Sequence, residues 1–594
     1  MKTNLAISFA LALLIVACTP QKKEPVRTAQ PALDSLFKNY HEDSRKLFPL
    51  QATSAGDYRY NDQLPNPLTM EYRAKLKDFY TRYQQQLMAF DRSTLLDNDQ
   101  LSYDILSYQC AINLEGMQFK DYLTPISQLQ SPTLSVAQNA SGKGNHPFKT
   151  VKDYDDWLSR LNGYLAWCDS SIAYSRKGMA AGYVIPKANA MKIPPQLAAF
   201  DHGPAKEHLF YMPIKNMPED FPAADKARLS KAYEEIITTK VIPANQRLKT
   251  FIEKEYIPAC RETSGIDGIP GGKEYYAFAV KRSTTTNKTP DEIFALGNSE
   301  VDRISKEMEK VKDQVQFKGD LKAFFDHLRN RKELMPFKTG EEVVARYYSI
   351  HEQMKPNLAK LFDKVPKMGF EVRMIEKFRE ATSAANYSVG TPGGARPGIF
   401  YFPLRDVTKY STMPMEDLFL HEAIPGHHYQ IAMKVENTDL PEFRRFANFG
   451  AYTEGWGLYA ESLGKELGLY TDPYSYFGML SGEMHRAIRL VTDAGLHSQG
   501  WTREQAIQYS KDHEAAQEEN IVSEIERYMA NPAQALSYKM GQLKILELRA
   551  KAEKELGAKF DIKQFHNQIL DAGSLPLNLL EDKVNRWIEV AKGA

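Results

Sequence analysis

Along most of the chain, apolar positions recur at spacings of three and four, the pattern of helices that bury one face. From Tyr154 through Leu158, Leu161, Leu165 and Cys168 to Ile172 the stripe is unbroken. "TPDEIFALGNSEVDRISKEM" opens with Thr289 as N-cap, Pro290 at the first helical position and Glu292 closing a capping box, and Ile293, Leu296, Val301, Ile304 and Met308 form its apolar face. "WTREQAIQY" repeats the device with Thr502 and Gln505. Strand signals are few. The clearest is "GIFYFPL", residues 398–404, behind the Gly/Pro-rich loop "SVGTPGGARPG". The pattern therefore predicts a mainly α protein with a small β-sheet. It divides into a helical N-terminal region over 36–330 and a catalytic helical region over 331–594.

The N-terminus departs from this pattern. "MKTNLAISFALALLIVAC" has one lysine and an apolar run from Leu5 to Ala17 that is too short to span a bilayer. "LIVAC" resembles a lipobox, which implies a signal peptide over 1–17, cleavage before Cys18 and acylation of its thiol; an ordinary secretory signal with a chance cysteine is the alternative. Residues 18–35 then read as a flexible tether, and the mature chain is expected on a membrane of the bacterial cell envelope, in the periplasm or at the outer membrane.

Charge excludes one class of partner. The 594 residues carry 76 basic and 75 acidic side chains, a net charge of +1, and no compact basic block, so nucleic acid is not an expected partner. Cys110, Cys168 and Cys260 form no C-x-x-C pair, which disfavours a cysteine metal site and allows one disulfide at most.

The chemistry concentrates in "DLFLHEAIPGHHYQ", residues 417–430. His-Glu dipeptides begin at His41, His351, His421 and His513, but only His421 has further histidines close behind it. Pro425 stands where the second histidine of H-E-x-x-H belongs. His421 and His427 are six residues apart, roughly 9 Å and about 240° on an ideal helix, so an undistorted helix keeps them from one ion. Pro425 has no N–H for the His421 carbonyl and its ring collides with that group, which predicts a kink or bulge, and Gly426 supplies freedom for the next residue to swing back. The second ligand is His427 or His428. We favour His427, because a glycine directly before the ligand histidine is the arrangement of several helical zinc peptidases, which leaves His428 as an outer or substrate contact.

A third ligand is required, with one position left for water. In "GAYTEGWGLYAESLGKELG", Glu454 and Glu461 share a helical face; Glu454 follows His427 by 27 residues, suits a neighbouring helix and is preferred, with Gly455 and Gly457 permitting close approach. Two imidazoles and a carboxylate with an open position point to zinc. Glu422 is then placed as general base. For the oxyanion of a tetrahedral intermediate the candidates are Tyr538 first and His497 second, with Arg489, Asp493 and Arg527 nearby in sequence; each also fits an ordinary core or surface role. The strand "GIFYFP", including Tyr401, is expected to pair as an edge strand with a substrate peptide. Arg396 is expected to hold a substrate carboxylate, or alternatively to cap its own loop.

At these residues the chain resembles the bacterial domain-of-unknown-function 885 family of lipoproteins, which looks like a helical zinc peptidase of the gluzincin type. The matching stretches are "FPLQATSAGDYRYND", "GYVIPKANAMKIPPQL", "GIPGGKEYYAFAVKRSTTT", "GARPGIFYFPL", "HEAIPGHHYQ", "TEGWGLYAESLG", "DAGLHSQGWT" and "NPAQALSYKMGQLKI". The resemblance implies a helical ellipsoid with a deep central channel and zinc on its floor, similar to thimet oligopeptidase, carboxypeptidase Taq or dipeptidyl peptidase III. The expected function is hydrolysis of short peptides by a membrane-anchored zinc metallopeptidase. The competing expectation is a non-catalytic lipoprotein that captures peptides or glycans at the cell surface.

Overall fold

A computed structural model describes residues 28–129, 131–142, 144–377, 384–391 and 396–593. The leader and Cys18 lie outside the described residues.

Helices form where the sequence supplies a stripe and a cap. The chain runs through α1 (Pro31–Leu47), α2 (Asp97–Gly116), α3 (Val151–Ala180), α4 (Gly272–Thr284) and α5 (Pro290–Gln314). The stripe from Tyr154 to Ile172 lies within α3, where Tyr154, Leu161 and Cys168 are buried. At α5 the Thr289 hydroxyl accepts from the Glu292 amide, and the Glu292 carboxylate accepts from the Thr289 amide. Thr502 and Gln505 exchange the same bonds at the helix Arg503–His513.

A small sheet follows, built from β1 (Phe370–Met374), β2 (Asn386–Ser388) and β3 (Gly398–Phe402) in the order β1-β3-β2. β3 runs parallel to β1, with Phe370 opposite Gly398, and antiparallel to β2, with Tyr387 opposite Phe400. The strand expected at an edge is thus the central one. Its Ile399, Phe400 and Phe402 are buried, because a strand covered on both faces is apolar throughout. After the sheet come α6 (Met415–Glu422), α7 (His427–Glu436), α8 (Gly450–Ser462), α9 (Pro473–Ser498), α10 (Glu518–Ala530) and α11 (Ser537–Leu556).

The packing runs across residue 330. The largest core joins Phe37, Tyr40 and Cys110 of the N-terminal helices to residues from Phe337 to Ile588. Phe37 and Tyr40 lie against Phe443 with ring centroids 5.1 and 5.9 Å away. A second core gathers residues 68–260 around Trp157, Tyr164 and Trp167. A third couples Val301, Ile304 and Met308 of α5 to Phe477, Met484 and Ile488 of α9. Cys110, Cys168 and Cys260 are free and buried. No helix among the described residues is long and apolar enough to cross a membrane.

Candidate metal centre

The helix through the histidine motif breaks rather than kinks. α6 ends at Glu422 and α7 begins at His427, with a turn between them that contains the cis peptide Ile424–Pro425. The Trp456 indole donates to the Pro425 carbonyl at 2.8 Å and ties this turn to α8. At Gly426 a side chain is excluded, since a Cβ there would collide with the carbonyls of Leu420 and His421. The chain doubles back over the end of α6. As a result the His421 and His427 rings stand 4.6 Å apart at 82°. Gly457 of α8 faces the His421 ring so closely that a Cβ would lie 2.7 Å from its Cε1 atom. This explains one of the two glycines beside Glu454; Gly455 is turned towards Gly541 of α11 instead.

Three ligand-type side chains converge as a result. Glu454 Oε2 is 3.5 Å from Nε2 of His421 and 3.5 Å from Nε2 of His427, and the ligand atoms of all three lie within 4.8 Å of one another. Donor atoms about 2.0–2.2 Å from a tetrahedral ion stand roughly 3.3–3.6 Å apart, so this spacing fits zinc. His421 and His427 are buried, while the Glu454 side chain is 24% exposed and leaves one side of the centre approachable. His41, His351 and His513 join no such cluster among the described residues.

Glu461, the alternative third ligand, takes the other face of the same imidazole. Its Oε1 accepts from His421 Nδ1 at 2.6 Å, which puts the proton on Nδ1 and turns the lone pair of Nε2 towards His427 and Glu454. Arg486 Nη2 stands 3.6 Å from Glu461. Asp417 lies behind: burial first and the Glu461 charge second push its carboxyl well up, so Asp417 keeps its proton and Glu461 carries the charge. Burial alone would lower the His421 imidazole, but the Glu454 and Glu461 carboxylates lift it to about 10. Burial would raise Glu454, yet the two imidazoles hold it far below the usual carboxylate range. Asp417 and the outer role of Glu461 escaped sequence reasoning; the spacing of four between Asp417 and His421 was the available signal.

Glu422, next to the first histidine, is buried and its Oε2 has no hydrogen-bond partner among the described residues. His427 Nδ1 is likewise unpartnered. Tyr538 opens α11. Its hydroxyl is pushed up by burial and then by the Glu454 charge, and the Arg489 guanidinium lies 4.5 Å from its ring centroid.

Other expected site residues are committed elsewhere. His497 is fully buried; its Nδ1 accepts from the Ile266 amide at 2.9 Å and its Nε2–H donates to the Tyr528 carbonyl at 3.0 Å, with burial lowering its pKa to about 3. It has no donor left for an oxyanion. Asp493 accepts from the Tyr276 hydroxyl at 2.6 Å and from the Ala533 amide at 3.0 Å, and Arg527 clasps Glu524. His428 is buried against Gly398 with Nδ1 at 3.0 Å from the Tyr387 hydroxyl, so it fastens α7 to the sheet and is not part of the His421, His427 and Glu454 cluster. Arg396 is exposed and its Nη2 donates to the Val389 carbonyl at 2.8 Å, closing its own loop. Tyr401 is paired with Arg373 on one side and Asn386 on the other, so its strand has no free edge for a substrate. A cavity of about 510 Å³ lies among residues 118–128, 183–189, 261–282 and 529–532; none of the three clustered residues lines it.

The crystal structure of the putative lipoprotein from Colwellia psychrerythraea is similar, with a TM-score of 0.84 and 28% identity over 94% of this chain and 99% of that one. The structure of a putative lipoprotein of unknown function from Shewanella oneidensis shares the fold at a TM-score of 0.71 and 18% identity, covering 93% of this chain and 99% of that one. No curated protein matches the chain. The family described as "Bacterial protein of unknown function (DUF885)" matches residues 49–584, and the chain belongs to it.

Proposed function

We propose that this protein is a zinc-dependent metallopeptidase that hydrolyses short peptides in the bacterial envelope, held to a membrane through a lipid on Cys18. One observation carries the reading: His421, His427 and Glu454 converge within 4.8 Å, and the residue after the first histidine is a buried carboxylate with an unpartnered oxygen. His421, His427 and Glu454 would hold the ion, which when bound supplies a Lewis acid for the scissile carbonyl and acidifies water. Glu461 keeps the His421 tautomer fixed. Glu422 takes a proton from the attacking water and passes it to the leaving amine. Tyr538 offers its hydroxyl to the developing oxyanion, a role that burial favours by keeping the proton on. The lipid anchor is supported by the lipobox-like "LIVAC" and by the two similar structures, both of putative lipoproteins.

The test combines composition and activity. Protein purified without added metal should contain close to one zinc per chain by elemental analysis, and a peptide library read by mass spectrometry should show cleavage. Glu422→Gln should retain zinc and lose about 10²- to 10⁴-fold in rate. Equal cleavage by Glu422→Gln and the parent protein removes Glu422 as the base. No metal and no cleavage in either would favour a lipoprotein that only captures peptides or glycans.

A further inference from the structure

The cavity of about 510 Å³ at the end of α10 falls within the ~300–1,000 Å³ typical of small-ligand sites, and its wall has two electrical poles. Asn189 and Gln128 belong to the wall, with 1% and 7% of their surfaces exposed. Asn189 Nδ2 donates to the Glu526 carbonyl of α10 at 2.7 Å, and Gln128 Nε2 donates to the same carbonyl at 3.3 Å, which fixes both amides with their nitrogens on the helix. The opposite atoms, Asn189 Oδ1 and Gln128 Oε1, are buried without a hydrogen-bond partner among the described residues. Such acceptors are costly, and an N–H group entering the cavity would relieve them. α10 ends here, with Met529 and Ala530 in the wall, so the negative pole of its dipole adds to the two oxygens.

The other pole is positive. Arg261 lines the cavity, held by Nε on the Val184 carbonyl at 3.1 Å and by Nη1 on the carbonyl and hydroxyl of Thr263, while its Nη2 has no hydrogen-bond partner among the described residues. Burial lowers Arg261 to about 10, against the pull of Asp267, and leaves it charged at neutral pH. A Cβ on Gly268, in the turn that leads into α4, would lie 3.2 Å from Arg261 Nη1. The start of α4 is thus its neighbour; Gly271, just before that start, is in the wall, and no side chain caps the helix. The charged wall residues are Lys120, Arg261 and Arg282 against Asp121, 3.5 Å from Arg73, and Glu274, which offsets part of the α4 pole. Neither sign dominates, so the wall suits neither a plain anion nor a plain cation.

We propose that this cavity is a second ligand site, which binds short peptides with both termini free, the α-ammonium at Asn189 and Gln128 and the carboxylate at Arg261. None of His421, His427 and Glu454 lines it, so the inference goes beyond the peptidase reading and stands without it. In a free amino acid both charges sit on one carbon, whereas poles on separate elements call for a spacer between them, which a short peptide supplies. A neutral sugar would leave both poles uncompensated.

The experiment is a calorimetric titration of Glu422→Gln protein, treated with a chelator so that neither hydrolysis nor a bound metal contributes, with trialanine as the probe. Free trialanine should bind, and its N-acetyl and C-amide forms should each bind roughly 10- to 100-fold more weakly, the weight of one charge-assisted hydrogen bond at a buried site. Arg261→Gln should erase the difference between acid and amide and leave the effect of acetylation. Ala530→Trp, which fills the cavity from the end of α10, should abolish binding. Equal binding of free and doubly blocked trialanine overturns the proposal, as do unchanged binding in Ala530→Trp, absence of binding at millimolar peptide, and binding of cellobiose in place of the peptide. Should Arg261→Gln fail to fold, the blocked and free peptides on protein with Arg261 intact still decide. Binding that appears only when zinc is restored would assign the peptide to the metal centre, rejecting this site and keeping the peptidase; binding without zinc to a protein that cleaves nothing does the reverse.

Discussion

His421 is gripped from two sides, and the two carboxylates beside it have different effects. Glu454 at Nε2 shares the candidate ion, whereas Glu461 at Nδ1 fixes the ring, with Asp417 and Arg486 settling its charge. Asp493 on α9 is a third buried carboxyl with another task. It bolts the turn at Ala533, just ahead of Tyr538, to the body of the protein. Burial pushes it up to about 7, against the pull of the Tyr276 hydroxyl and the Ala533 amide. A folded pKa near 7 lies above the unfolded value of about 3.9, so the folded state holds the proton more tightly. The stabilisation this gives is complete below about pH 4 and is lost as pH rises through about 7. Asp493→Asn keeps an acceptor for both bonds but cannot ionise. Its stability relative to the parent should improve between pH 5 and pH 8, by at most ~1.4 kcal/mol per pH unit, in urea unfolding followed by circular dichroism. Parallel stability curves for the two proteins would show that Asp493 ionises freely in the fold.

Between elements, the site depends on how closely α8 approaches its neighbours. Gly457 meets the His421 ring on α6, while Gly455 meets Gly541 on α11, where a Cβ would collide with the Ala451 carbonyl. A methyl group at each site should therefore separate two functions. Gly457→Ala displaces a candidate ligand and should weaken zinc binding about 10- to 100-fold in a chelator competition, as losses around a ligand histidine do. Gly541→Ala displaces α11 with Tyr538; zinc binding should stay within about twofold while stability falls by ~1–3 kcal/mol from overpacking. The reverse assignment of losses would mean that the two contacts have been wrongly apportioned. The histidine pair and Glu454 were legible in the sequence because their spacing is local or lies on a helix with a plain periodicity. The depth of the break after Glu422 was not, since Trp456 and Gly457, from another helix, decide it. Strand order was likewise invisible: "GIFYF" reads as a strand by composition, but only its partners β1 and β2 make it central. Which of its two expected roles Arg396 takes, and what His428 touches, were illegible for the same reason. Their partners, Val389 and Tyr387, are set by the sheet and its loop rather than by neighbours on a helix.

At the scale of the whole molecule, the chemistry of residues 421–538 rests on the first half of the chain. Arg444, with 1% of its surface exposed, donates through Nη1 to the Asn98 carbonyl and side chain and to the Ser102 hydroxyl of α2. Tyr108 of α2 packs on Phe449, one residue ahead of α8, at 6.0 Å. Lys539 of α11 is fully buried and reaches Glu300 of α5 at 3.0 Å as well as Glu483 at 2.7 Å. Tyr276 of α4 holds Asp493, and the Ile266 amide holds His497. A fragment of residues 331–594 would take Asn98 and Ser102 from Arg444 and Glu300 from Lys539 and would expose the faces of Phe443 and Phe449, losses comparable with the ~5–15 kcal/mol by which a domain is stable. Expressed alone, that fragment should bind a hydrophobic dye, lack a cooperative thermal transition and take up less than stoichiometric zinc, whereas the chain from residue 28 onwards melts cooperatively and binds the metal. A sharp transition with full zinc uptake in the fragment would instead establish a catalytic domain beginning near residue 331, and the contacts from α2, α4 and α5 would then be dispensable to the site.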